Sequence, residues 1–361
     1  MLKNSHIWLW SYIAGRLRRR RLRYPLRILL AIADHFEPEQ KPGDPLELQI
    51  KRVHDWITRY EKRYTGFKDC TGRPPVHTYF FPEEQYAPET VEPLAEHCAR
   101  GFGEVEIHIH HDYDAEDAFR EKMNVFRDRL AEHGLLCRDS TENRVKYGFV
   151  HGNWSLDNSR RDGRWCGLNN EITLLRDTGC YADFTLPSAP SECQTTKINS
   201  IYFAIDDPVR PKSHDTGVDV TFGGKTDGDL LMIQGPLALN WNSRIRGIVP
   251  RIENADINGT NPVTQQRIKL WIDQRILVPG VEDVVFVKLH THGLKSALVD
   301  YLVGEELARG FELLEREFND GNRFRLYYVT AREMANIVLA FNDGVLGPIS
   351  ELKDYRLKSI R

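Results

Sequence analysis

From residue 26 onward, short runs of β-branched and aromatic residues alternate with longer stretches whose apolar positions recur at helical spacing. That is the pattern of parallel strands joined by crossover helices. Seven runs predict strands, at 26–34, 76–81, 105–111, 146–151, 181–186, 284–290 and 324–330, with helices near 46–64, 88–100, 114–133, 168–178, 295–319 and 331–341. The clearest helix signal is 298–318, where Leu298, Leu302, Leu307, Phe311, Leu314 and Phe318 line one face. Between about 187 and 280 the alternation breaks into short apolar runs separated by Gly, Pro and Asp, which reads as a β-rich insertion near 190–280. The expectation is an α/β chain forming a distorted seven-stranded (β/α) barrel over 26–345, with a basic amphipathic segment at 1–25 and a tail at 346–361. Periodicity alone does not separate seven barrel strands from eight.

Composition narrows the class. Hydrophobic residues are 41% and charged residues 28%, which excludes a disordered or fibrous chain. Forty-nine basic against 52 acidic residues leave a net charge of −3, so there is no cationic field to recruit nucleic acid. The 6 cysteines are scattered without a Cys-x-x-Cys pair, which suits free thiols in a reducing compartment. The apolar stretch His6–Ala14 is followed by the basic run Arg16–Arg23, the reverse of a secretory signal, and it is too short to span a bilayer. It reads as a helix packing its aromatic face on the domain, the other reading being peripheral contact with an anionic membrane through residues 1–23. A cytoplasmic, or membrane-peripheral, protein is expected.

Polar residues gather where the predicted strands end, the place where parallel barrels carry their chemistry. The first strand stops on Asp34-His35. The third runs Glu106-Ile107-His108-Ile109-His110-His111-Asp112, and period-two alternation puts Glu106, His108 and His110 on one face. The sixth ends Lys288-Leu289-His290-Thr291-His292. Imidazoles and carboxylates converging from three strands fit a divalent metal, zinc first, and a His/His/Asp ligand set. Trp154, Trp165 and Trp241 are candidates for stacking on sugar rings.

In order and spacing these motifs resemble the NodB-homology, or polysaccharide deacetylase, family. Ala33-Asp34-His35-Phe36 is similar to its first motif, with His35 where the family has a second acid. Glu104–Asp112 resembles its second motif, with Asp112 in place of the second His. Gly179–Leu186 and Lys288-Leu289-His290 resemble later motifs, and the similarity extends over most of 26–341. Where the family has an Arg-Pro segment after strand four, this chain has Phe149-Val150-His151-Gly152-Asn153-Trp154. The resemblance implies a metal-dependent hydrolase that removes an N-acetyl group from a sugar of a polysaccharide or its precursor. Asp34 would be the general base, His35, His108 and Asp112 the metal ligands, and His290 the acid, held by Asp183. His110, His111, His151, Asn153, Trp154, Trp241 and His292 would contact substrate. The competing readings are an amidohydrolase or phosphoesterase on an eight-stranded barrel, and a catalytically silent carbohydrate-binding protein on the same scaffold.

Overall fold

The computed structural model describes residues 3–361. After helix α1 (Leu9–Leu17), the chain alternates strand and helix: β1 (Leu26–His35), α2 (Leu46–Tyr64), β2 (His77–Pro82), α3 (Pro88–His97), β3 (Gly103–Ile109) and α4 (Glu116–Glu132). A short strand β4 (Cys137–Asp139) precedes β5 (Val145–His151), α5 (Glu171–Thr178) and β6 (Cys180–Asp183). The insertion supplies β7 (Ile201–Ala204), β8 (Gly217–Asp219), β9 (Leu230–Ile233), a hairpin of β10 (Ala238–Ile245) and β11 (Val249–Glu253), and α6 (Gln265–Asp273). The chain closes with β12 (Val284–Thr291), α7 (Ser296–Leu302), α8 (Glu305–Phe318), β13 (Phe324–Tyr328), α9 (Ala331–Asn342), α10 (Ile349–Leu352) and β14 (Leu357–Ser359).

All seven predicted barrel strands are present and mutually parallel, in a sheet ordered β12-β1-β2-β3-β5-β6-β9-β7-β8 with β13 beside the first half of β1. Among the described residues no ladder joins the two ends of this order, so pairing alone does not close a barrel. A side chain crosses the seam instead. Lys288 on β12 sends its Nζ to the carbonyls of Phe184 and Leu186, 2.5 and 2.6 Å away at the end of β6. The insertion is part of this sheet: β9 runs parallel to β6, and β7 lies antiparallel between β9 and β8. Residues 346–361 also fold onto the body, with β14 pairing β4 and Leu357 buried.

Strand β1 is buried almost throughout, as a parallel strand covered on both faces must be. Its even positions Ile28, Leu30 and Ile32 share a core with Val53, Trp56 and Tyr60 of α2, on the outer face. Its odd positions Leu29, Ala31 and Ala33 pack inside with Phe80, Val150, Phe184, Phe286 and α9. The long predicted helix at 298–318 is two helices, because a side chain at Gly304 would collide with the Asp300 carbonyl and the chain there is extended. Trp8, just before α1, and Tyr12 within it are buried against Leu237 and Leu239, and beyond the helix Arg19, Arg20 and Arg23 pair with Asp273 and Glu282. Trp10, Ile13 and Leu17 remain exposed. No helix among the described residues is long and apolar enough to cross a membrane.

Burial pushes the Lys288 ammonium down to about 7, with Asp183 opposing the shift. The unfolded chain therefore holds one more proton than the folded one between about 7 and the ordinary 10.5. Stability should rise with pH across that window, by up to ~1.4 kcal/mol per pH unit. In Lys288→Met this rise should vanish, and stability should fall by about 1–3 kcal/mol at the alkaline end as two buried carbonyls lose their donor. Urea unfolding of both proteins across the window measures the two slopes.

Candidate functional site

The alternation of β1 decides where its last residues point. His35 continues the inner row. There its ring lies 4.7 Å from that of His108 and 4.6 Å from that of His292, between centroids. Asp34 continues the outer row, where its carboxylate accepts the Gly293 N–H and faces His77 Nδ1 at 3.2 Å. His77 itself packs against Trp56 and Tyr60. Asp34, expected as the base, thus lies fully buried behind the histidines, with its oxygens occupied.

The carboxylate among the histidines is Glu37. One of its oxygens is 3.4 Å from His108 Nε2, 3.7 Å from His110 Nε2 and 3.9 Å from His292 Nδ1, and the other is 3.7 Å from Lys295 Nζ. Burial works against its charge, but His108, Lys295 and His292 outweigh burial and hold it down to about 2. Burial, reinforced by neighbouring imidazoles, keeps His35 well below its ordinary value. Burial and Lys295 bring His292 to about 4. His108 is fixed by its other nitrogen: Nδ1 is 3.0 Å from the Val150 carbonyl and carries a proton, so that the neutral form of the ring leaves its lone pair on Nε2.

These groups fit a metal. His35 Nδ1, His108 Nε2 and His292 Nδ1 are all buried without a hydrogen-bond partner. His35, Glu37 and His292 form one set of donors within 4.8 Å of one another, and Glu37, His108 and His110 form a second. Glu37 belongs to both. Imidazole lone pairs around an ionised carboxylate are a donor set for zinc or a similar divalent ion.

The rim is polar. His110 is partly exposed and its Nδ1 is hydrogen-bonded to Glu84, which raises its affinity for a proton although burial opposes it. Gly152 lets this ring sit close, since a Cβ there would meet it. Glu106, one step inward on the same face of β3, accepts from the Tyr181 hydroxyl and Gly148 N–H, and burial pushes it up to about 8.

Other expected site residues lie elsewhere. Asp112 does not reach His35 or His108: β3 ends at Ile109, and the Asp112 carboxylate turns outward to Arg164 and the Trp165 N–H. His290 is buried, its backbone bonded to Ala255 and Ile257, and burial with Lys288 holds its ring well below the ordinary value. Asp183 bonds to Thr185 through both the hydroxyl and the N–H rather than to His290, and burial pushes it up to about 6. His111 and His151 form a separate buried cluster with Cys166 and Glu171. Asn153 and the partly buried Trp154 lie in the loop after β5, and Trp241 is exposed on the β10–β11 hairpin. Glu37, Glu84, Cys166 and Glu171 were not singled out in the sequence. Only Glu37 had a usable signal there, two residues after His35. A cavity of about 220 Å³ lies away from these histidines, between α1 and the insertion, lined by Arg16, Arg19 and Arg275.

No protein-family model matches the chain, and no curated protein matches its sequence.

Gly293 couples Asp34 to His292. A Cβ at 293 would stand 2.3 Å from Asp34 Oδ2, so Gly293→Ala should cost about 1–3 kcal/mol from overpacking. It should also weaken metal retention, because His292 is its neighbour. Thermal melts with metal analysis of the same samples check both, and a Gly293→Ala protein with unchanged Tm and metal content would uncouple the two residues.

Proposed function

We propose that the chain is a metal-dependent hydrolase of the polysaccharide deacetylase type, which removes an N-acetyl group from a sugar. The sheet would act as a distorted seven-stranded barrel with Lys288 across its seam. The observation that carries this reading is the convergence of unpartnered buried nitrogens of His35, His108 and His292 around the Glu37 carboxylate, at the carboxyl ends of three parallel strands. Those four residues would hold the ion. Glu37 takes the carboxylate place that the motif resemblance gives to Asp112.

The Lewis acidity of a divalent ion held by these residues would polarise an amide carbonyl and acidify a water. The remaining work falls to side chains of the chain. His110, oriented by Glu84 and open to the rim, takes a proton from the attacking water and delivers it to the departing amine. The choice of His110 over His290 rests on access, since His290 is locked into β12 and 7% exposed. Asp34 acts as a positioning residue, holding Gly293 and His77 so that His292 meets His35. Partly exposed Trp154 and Trp165 supply sugar-stacking surface near the end of β5 and beside Asp112.

Acetate release from N-acetylglucosamine oligomers, with zinc added back after chelation, is the direct assay. His110→Gln should keep its metal and lose about 10²-fold or more in kcat, as expected for loss of a general acid–base group. Asp34→Asn should mainly lower Tm and leave a measurable kcat with an unshifted pH profile. Abolished turnover with metal and Tm intact in Asp34→Asn would restore Asp34 as the base. Phosphate release from phosphomonoesters without acetate release from any N-acetylated sugar would overturn the deacetylase reading.

A further inference from the structure

We propose a second metal site, closed and structural, in which His111, His151, Cys166 and Glu171 bind zinc and staple the loop 152–170 to the ends of β3 and β5. The four residues come from four places: just past β3, the last position of β5, the loop itself and the first turn of α5. His151, Cys166 and Glu171 are 0% exposed and His111 5%. One donor atom from each lies within 4.8 Å of the other three. His111 Nε2 is 3.0 Å from Glu171 Oε1 and 3.1 Å from His151 Nε2. Donors about 2.0–2.1 Å from a tetrahedral zinc stand roughly 3.3 Å apart, so a modest expansion accommodates the ion.

Protons alone do not satisfy this arrangement. The Asn153 N–H points at His151 Nδ1, which puts the proton of that neutral ring on Nε2, facing His111 Nε2. His111 Nε2 must then accept, and its lone pair is also turned on a Glu171 oxygen at 3.0 Å with no hydrogen between them. Shifting the His111 proton onto Nε2 serves Glu171. It leaves Nδ1, buried and unpartnered, as a lone pair 3.6 Å from Asp114 Oδ2. A cation on the Nε2 side resolves His111 completely: Nε2 ligates, and Nδ1–H faces the Asp114 carboxylate, the usual support behind a ligating imidazole. The weak 3.3 Å contact from Asn153 is the one that must adjust. A doubly protonated His111 is the competing arrangement; it serves Glu171 and Asp114 but turns its Nε2–H on the His151 Nε2–H 3.1 Å away.

The sulfur is the second, independent observation. Cys166 Sγ accepts two backbone N–H groups, from Asn158 at 3.3 Å and Leu168 at 3.4 Å, and donates its own S–H to Glu171 Oε2 at 3.3 Å, the proton a metal would displace. Burial and the Glu171 carboxylate hold the metal-free Cys166 as a thiol; the paired N–H donors are placed to support the sulfur once a cation has displaced its proton, and a thiolate this deeply buried requires that cation beside it. Thiolate with imidazole selects zinc over calcium or magnesium, and four protein ligands leave no open position for substrate. The loop has reason to be stapled. It holds Trp154, Asp157, Asn158 and Trp165 at positive φ, a conformation that persists only where the surroundings enforce it.

Cobalt(II) reports on this site separately from the one at Glu37, because only Cys166 can give a thiolate-to-cobalt charge-transfer absorption. Wild-type chain loaded with cobalt should bind two equivalents and show that band. Cys166→Ser should lose the band and one equivalent, while His292→Ala should lose one equivalent and keep the band. If Cys166→Ser does not fold, alkylation of the wild-type chain decides: Cys166 should be protected with metal bound and become reactive on chelation. A wild-type protein that takes up cobalt without the band, or takes up none, overturns the proposal. Equal Cys166 reactivity with and without chelator does the same. A single equivalent with the band upholds it and overturns the Glu37 site instead.

Discussion

Burial of β1 on both faces is the constraint on which the site depends. A strand with no solvent side must place every residue either among the outer helices or inside the sheet. At its end this separates two polar neighbours by parity. His35 goes inward to the other histidines, and Asp34 goes outward to His77 and Gly293. The outward carboxylate still serves the inward cluster, because Gly293 follows His292 and its N–H is bonded to Asp34. Two adjacent strands are thereby tied together at the height where their imidazoles meet.

The opposite end of the sheet is held by ion pairs that leave the histidines free. Glu104, near the start of β3, accepts from Thr330 and Arg332 at the head of α9, and Glu333 pairs with Arg73. Thr330 and Glu333 also cap α9 reciprocally. Charges at the starts of β2 and β3 and at the head of α9 therefore satisfy one another. At the carboxyl ends, Glu37 lies among the histidines, of which burial holds His35 and His292 below their ordinary value, with Lys295 as the nearest fixed positive charge. One end is electrostatically complete, and the other gathers unpartnered imidazole nitrogens around one carboxylate, the asymmetry on which the proposed metal site rests.

What was legible in the sequence follows the same parity rule. All seven parallel strands could be placed, because runs buried on both faces are long and apolar. His108 and His110 could be put on one face by alternation, and both reach Glu37. Alternation stops being informative where the strand stops. The ligand place that the motif resemblance gave to Asp112 lies beyond this limit: β3 ends at Ile109, and the Asp112 carboxylate meets Arg164. Glu37 escaped notice for the converse reason, as it lies just past the end of β1 and only the returning chain brings it under His108. Lys288 was legible as a strand residue but not as the bridge over the seam, which depends on where β6 ends relative to β12.

The end of β3 then distributes its histidines between two environments. His108 and His110 face the Glu37 side, where Lys295, Glu84 and the rim keep part of the surroundings polar and open. His111, one residue further and past the last paired position, turns to a pocket sealed by Phe119, His151 and Cys166. A ligand group with an accessible edge can exchange water and substrate, whereas a sealed one can only hold structure. The second therefore supports the first. The segment from Gly152 onward passes within van der Waals reach of the His110 ring, and its path is set by the anchoring of His151 and Cys166. Any loosening of the sealed cluster would be felt at the rim as a displaced His110, which makes the geometry of the group we propose for proton transfer a consequence of the buried sulfur and imidazoles behind it.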